Sequence, residues 1–288
     1  MKTAIIVHGG AGAWQSDIER LQQAMTVCIE AALVGQAVLT QAGTAVDAVE
    51  AAVRVLEASP VLNAGHGSYP NANGNIEMDA LIMDGKDLNL GAVAAVQRIR
   101  SPISLARRVM EDCDDALLVG PGTNAFADNI GFPCCELSDL LVDMEPPPTK
   151  QSNTLGDTVG AVAIDSFGNL AAATSTGGTI NKVPGRVGDS PLVGCGGYAD
   201  NHTAAVSATG RGEDLMKVVI SKQVCDFVGS GLSANSACEA AIVVLEERVS
   251  GSGGVIAIDA RGQIGFAYNT FAMPHAYAIG EDDINSGR

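Results

Sequence analysis

Two segments of the chain follow one plan, and that plan restricts the fold more than any other feature of the sequence. Thr158-Val-Gly-Ala-Val-Ala-Ile-Asp165, a turn at Ser166-Phe167-Gly168 and Asn169-Leu-Ala-Ala-Ala-Thr-Ser-Thr176 form one copy. Gly254-Val-Ile-Ala-Ile-Asp259, Ala260-Arg-Gly262 and Gln263-Ile-Gly-Phe-Ala-Tyr-Asn269 form the other, and both contain Ala-Ile-Asp-x-x-Gly. Each reads as a β-hairpin. The residues are small and apolar at successive positions, so both faces of these strands need cover.

Cover is available in helical patterns. Ala4 to His8 reads as a strand, Gly9 to Gly12 as a turn, and Ile18 to Leu39 as a helix. Thr44 and Asp47 have capping-box spacing ahead of a helix from Ala48 to Leu56, which Ser59-Pro60 ends. Strands follow over Ile76 to Met83 and Leu90 to Val96; Ser101 as N-cap and Pro102 at N1 start a helix to Glu111. Leu117 to Val119 is a short strand, and helices run over Glu213 to Val228 and Ala234 to Val249, the second with Ser236 and Glu239 at capping-box spacing. Covered hairpins and amphipathic helices predict an α+β fold, a four-layer αββα sandwich, built as one domain over residues 1–288. The one candidate linker is Glu136 to Asp157, with three prolines at 146 to 148.

Composition removes several function classes. A formal charge of -16 repels phosphate backbones and anionic lipid, so neither nucleic acid nor a membrane is an expected partner. The start is too short for a signal peptide and no apolar run reaches spanning length, which reads as cytoplasmic. Seven cysteines without C-x-x-C read as reduced thiols, and four histidines lack metal-ligand spacing. No cofactor is expected for catalysis.

The chemistry concentrates after the linker. Thr158 opens a buried strand directly behind a polar tail, where a threonine is either simply a good strand former or a nucleophile that attacks the Asp157 carbonyl and frees its own amine. An α-amine titrates near ~7.7 to 8.0 and can take the hydroxyl proton of the same residue. Antiparallel pairing returns Thr176 to the side of Thr158, as a supporting hydroxyl or as part of a strand-end Ser/Thr cluster. Arg186 and Asp189 are a surface ion pair or a grip on the carboxylate and ammonium of a free amino-acid end. Thr209-Gly210-Arg211-Gly212 leads into a helix entry whose N–H groups suit an oxyanion.

In these residues the chain resembles the plant-type asparaginase family, the isoaspartyl peptidase/L-asparaginases among the N-terminal-nucleophile hydrolases. The likeness runs from Val7-His-Gly-Gly-Ala-Gly12 through Asn63-Ala-Gly-His-Gly-Ser68, Glu77-Met-Asp-Ala80, Asp157-Thr-Val-Gly160, Ser175-Thr-Gly-Gly178 and the Arg186 loop to Tyr268-Asn-Thr270. The resemblance implies autocleavage between Asp157 and Thr158 into subunits 1–157 and 158–288, and hydrolysis of L-asparagine and β-aspartyl dipeptides through an acyl-enzyme on Thr158. It also implies Thr176 as supporting hydroxyl, Thr209 and Gly210 as oxyanion hole, Arg186, Asp189 and Gly212 as substrate contacts, Asn63 reaching toward the nucleophile, and a dimer of αβ heterodimers. A structural Na+ is implied on carbonyls of Leu56, Glu57, Ser59, Leu62, Ala64 and His66. Tyr69-Pro70-Asn71 and Arg211 depart from the asparaginase branch and bear on substrate range. A glycosylasparaginase, or a small-molecule binding protein with a structural Thr158, are the alternatives.

Overall fold

The computed structural model describes residues 2–142 and 158–288, so Asp157 and most of the candidate linker lie outside the described residues. In chain order the elements are β1 (Ala4–His8), α1 (Ile18–Thr40), α2 (Ala45–Ala58), β2 (Met78–Asp84), β3 (Leu90–Val96), α3 (Pro102–Asp112), β4 (Leu117–Val119), α4 (Pro121–Asn129), β5 (Val159–Ile164), β6 (Leu170–Thr176), β7 (Gly197–Ala199), β8 (Ala204–Gly210), α5 (Gly212–Val218), α6 (Ile220–Gly229), α7 (Ala234–Val249), β9 (Gly253–Asp259), β10 (Ile264–Tyr268), β11 (His275–Ile279) and β12 (Asn285–Gly287).

The fold is mixed α+β with two sheets. One has the order β12-β11-β1-β5-β6-β2-β3-β4, antiparallel except for the β3–β4 pair; the other has the order β10-β9-β8-β7. The repeated hairpins are β5–β6 and β9–β10, one in each sheet. Their shared aspartates do the same work: Asp165 Oδ1 accepts from the amides of Phe167 and Asn169, and Asp259 Oδ1 from those of Arg261 and Gln263. Each carboxylate closes its turn and fixes the register.

Helices α1, α2 and α3 pack on the larger sheet, while α6 and α7 pack on the smaller. Between the sheets lies a cluster including Ile6, Val162, Ile164, Leu170, Ile256, Ile258 and Met273. Full burial of a Val, Ile or Leu side chain contributes roughly 1.5–3 kcal/mol. Small residues let the layers approach. A β-carbon on Gly91 would stand 2.0 Å from the Ala106 carbonyl oxygen, so β3 and α3 meet backbone to backbone there.

Several sequence expectations need correction. Thr44 and Asp47 do form a capping box, but the helix starts at Ala45. Ser101 does stand at the N-cap of α3 ahead of Pro102, but its hydroxyl turns to Glu57 and Ser104 instead of to the helix amides. The cap of α7 is Ser233, whose Oγ receives the Ser236 amide. The stretch 213–228 breaks into α5 and α6 at Val219, in the left-handed region with φ 49°. By length and composition alone α1 is apolar enough to cross a bilayer, because its alanines, valines, leucines and isoleucines raise the mean hydropathy although they are interrupted by polar residues. Its buried face, including Leu21, Ala24, Cys28 and Ala32, packs toward α2 and the sheet. The described cysteines are all free.

Candidate active site

The register of the larger sheet assembles the first part of the site. β5 lies between β1 and β6, with His8 opposite Gly160 and Thr174 opposite Gly160 on the other side. Thr158 directly precedes β5 and is buried, 5% exposed. Its Oγ1 donates to Thr176 Oγ1 at 3.2 Å. The Gly178 amide donates to the same Thr176 oxygen at 3.0 Å, so that hydroxyl is held from two directions. Asn63 secures the turn: its Nδ2 donates to the Gly178 carbonyl, its backbone carbonyl accepts from Gly177, and its Oδ1 accepts from the Tyr69 amide. These described bonds reach the 177–178 turn rather than Thr158 itself.

The second sheet brings Thr209 and Gly210 to the same end. Ser207 Oγ lies 2.9 Å from His8 Nε2 and 3.1 Å from Thr174 Oγ1, which joins β8 to β1 and β6. Two residues further along β8, Thr209 Oγ1 accepts from the amide of Ala11, just beyond the end of β1. Because β1 and β5 run antiparallel, the end of β1 is the start of β5, where Thr158 sits. Gly210 has φ 147°, and a β-carbon there would meet the Ser252 carbonyl oxygen at 2.5 Å. Burial depresses the pKa of His8 to about 3, the Thr158 backbone opposing this slightly; Nδ1 makes no well-formed hydrogen bond. His8 is therefore a neutral ring beside the nucleophile candidate.

Arg186, Asp189 and Gly212 form the third part. A β-carbon on Gly212 would lie 2.7 Å from Asp189 Oδ1 and 3.1 Å from Arg186 Nη2, so the glycine keeps open the space between the two charges. Asp189 is buried and its Oδ2 has no partner among the described residues. Burial pushes its carboxyl up to about 7, against the pull of its own amide and of Arg186. An unanswered buried carboxylate oxygen is costly unless a cation reaches it. Arg186 donates from Nε and Nη2 to Glu213 Oε1 at 3.1 and 3.0 Å. Glu213 is 43% exposed at its side chain against 17% for Arg186, so the acid is the solvent-facing partner. Arg211 turns to Asp214 instead.

Sequence reasoning missed the acids and the lysine around this center. Glu57 is buried and accepts from Ser175 Oγ at 2.7 Å, Ser101 Oγ and the Ile103 amide; burial raises its pKa to about 7. Glu77 and Asp79 reach the Arg186 loop, and Lys182 is buried beside them. The Glu77-Met-Asp79 motif was the available signal, without a role attached.

In the 56–66 loop the carbonyls of Ser59 and Leu62 come within 3.1 and 2.5 Å of where a Gly67 β-carbon would stand. Leu56 and Glu57 carbonyls accept from the Ser59 and His66 amides. Among the described residues no group of three or more His, Cys, Asp or Glu is placed to hold a metal. A cavity of about 580 Å³ between α2, α3 and residues 132–135 contains none of the threonines and is lined by Arg54, Arg107 and Arg108 among others.

Comparison with known proteins identifies the family. A family model described as asparaginase matches residues 1–146 and 138–286. The chain is 44% identical over 290 residues to the isoaspartyl peptidase/L-asparaginase of Danio rerio, covering 96% of this chain and 93% of the relative. The human protein of the same name is 44% identical over 292 residues, with 96% and 94% covered. The plant-type L-asparaginase of Pyrococcus abyssi is 43% identical over 295 residues, with 95% of each chain covered.

Proposed function

Because the chain belongs to the asparaginase family, we propose that it is an isoaspartyl peptidase/L-asparaginase, an autoprocessed threonine hydrolase that releases L-aspartate from β-aspartyl dipeptides and L-asparagine. The observation that carries the reading is the Thr158–Thr176 hydrogen bond at the head of β5. Beside it in support stands the unpaired Asp189 oxygen opposite Arg186. A zwitterionic α-amino acid end answers both charges: its ammonium meets Asp189, and its carboxylate displaces Glu213 from Arg186.

In processing, the Thr158 hydroxyl attacks the Asp157 carbonyl carbon; the peptide nitrogen takes up a proton and leaves as the α-amine, and water hydrolyzes the ester. In turnover, the free amine accepts the Thr158 hydroxyl proton as Oγ1 attacks the β-carbonyl of the substrate. The Thr209 hydroxyl and Gly210 amide face the developing oxyanion. Collapse expels ammonia or an amino acid, which takes the proton, and water then releases aspartate from the ester. The layer order in this reading is helix, sheet, sheet, helix, and the two pieces form a single domain whose αβ units pair into a dimer. A Na+ on the main-chain carbonyls of Leu56, Glu57, Ser59, Leu62, Ala64 and His66 would brace the 56–66 loop.

Denaturing electrophoresis tests processing. Purified protein should resolve into pieces of about 16 and 13 kDa, by proportional division of the chain, and Thr158→Ala should stay whole. A wild-type protein that remains a single chain after prolonged incubation defeats the reading. Hydrolysis of β-aspartyl-leucine and asparagine should then exceed that of N-acetylglucosaminyl-asparagine; the reverse order would make it a glycosylasparaginase.

A further inference from the structure

Lys182 is 4% exposed, and its Nζ donates to the Glu77 backbone carbonyl at 2.6 Å. A lysine so buried needs a local reason. Its surroundings are the underside of the loop that carries Arg186 and Asp189. Glu77 Oε2 accepts from the Gly185 amide at 2.9 Å, and Asp79 Oδ2 accepts weakly from the Gly188 amide at 3.4 Å. Asp79 Oδ1 accepts from Ala95 at 2.8 Å, which fixes this acid to the sheet. On its other side the lysine faces the site. A β-carbon on Gly178 would lie 2.8 Å from Lys182 Nζ and 3.4 Å from Arg186 Nη1, so both cations border the turn whose amide holds Thr176.

Arg186 pairs with Glu213 and lies against Gly188, whose amide reaches Asp79, so a second acid stands behind the loop. Glu213 is half-exposed and displaceable; Asp79 is fully buried and fixed. Burial raises the Asp79 pKa, and the charges of Lys182 and then Arg186 work against it. Without the lysine, Asp79 would have Arg186 as its remaining cation and would draw the guanidinium under the loop.

We infer that Lys182 is a positioning residue for substrate recognition: its buried ammonium answers Asp79 and the Glu77 carbonyl, leaving Arg186 to the α-carboxylate of the substrate. The inference rests on the hydrolase reading above.

The test compares L-asparagine with 3-aminopropanamide, which lacks only the α-carboxylate, using the processed enzyme. In Lys182→Met the preference for asparagine, as a ratio of kcat/KM values, should fall at least about tenfold, through KM, with kcat within about threefold. In Lys182→Met with Asp79→Asn nothing draws Arg186 away, so the preference should return to within about threefold of wild type. The double variant also removes the unpaired buried charge that could prevent the single variant from folding. An unchanged preference in Lys182→Met, an equal loss on both substrates, or a double variant that has lost the preference overturns the inference alone. A wild type that cleaves neither substrate overturns the hydrolase reading, and the inference with it.

Discussion

Asp189 is where pH enters the site. Its carboxyl is raised to about 7, so below neutrality it carries a proton and cannot answer a substrate ammonium. KM for asparagine should fall as pH rises through about 7, and initial rates across pH 5 to 8.5 would show it; a flat KM would contradict the assignment. The same shift has a stability sign. Between the ordinary carboxyl pKa and about 7 the folded state holds a proton that the unfolded chain has released, so this group's contribution declines as pH rises through that window. Asp189→Asn lacks the decline, and its Tm relative to wild type should therefore rise from pH 4 to pH 8. Thr176→Val keeps the shape but leaves the Gly178 amide without its acceptor. It should cost roughly 1–3 kcal/mol of stability and about 100-fold or more in kcat, measurable by denaturant titration and steady-state rates. The contact legible in the sequence was a local one, Thr158 beside Thr176 across a single hairpin. Glu57, Lys182 and Asp79 were not legible, because their roles arise from partners far along the chain: Ser175 and Glu57 are separated by 118 positions.

At the scale of elements the same division holds. The β5–β6 and β9–β10 hairpins could be read because strand, turn and returning strand are contiguous. β7 and β8 fall in residues 177–212, a glycine-rich stretch, and β11 joins β1 from the far end of the chain, so their partners had no local trace. The break at Val219 was hidden for a different reason: its apolar periodicity continues across the left-handed residue. A β-branched residue in that conformation is strained, and asparagine tolerates it better. Val219→Asn should therefore add about 1 kcal/mol, and Gly91→Ala should lose about 1–3 kcal/mol by forcing β3 from α3. Both are best measured by urea unfolding in the Thr158→Ala background, where a single chain keeps the equilibrium interpretable.

For the whole molecule, charge offers no means of joining the two proposed pieces. Residues 1–157 carry 20 acids and 9 bases, a net of -11; residues 158–288 carry 13 and 8, a net of -5. Apolar burial and strand pairing must hold them, so the processed protein should stay one species on size exclusion in high salt. The order of the larger sheet makes this concrete. β1 from the first piece lies between β11 and β5 of the second, and β6 of the second borders β2 of the first. Such interleaving is reached by a continuous thread, in which each strand is delivered to its neighbor by a tether. Once the thread is cut the arrangement persists, but the route to it does not: two strangers in dilute solution would have to find three separate seams at once. The working enzyme would then be a structure that can be made only once, with its lifetime set by how slowly it opens and not by how readily it could form again.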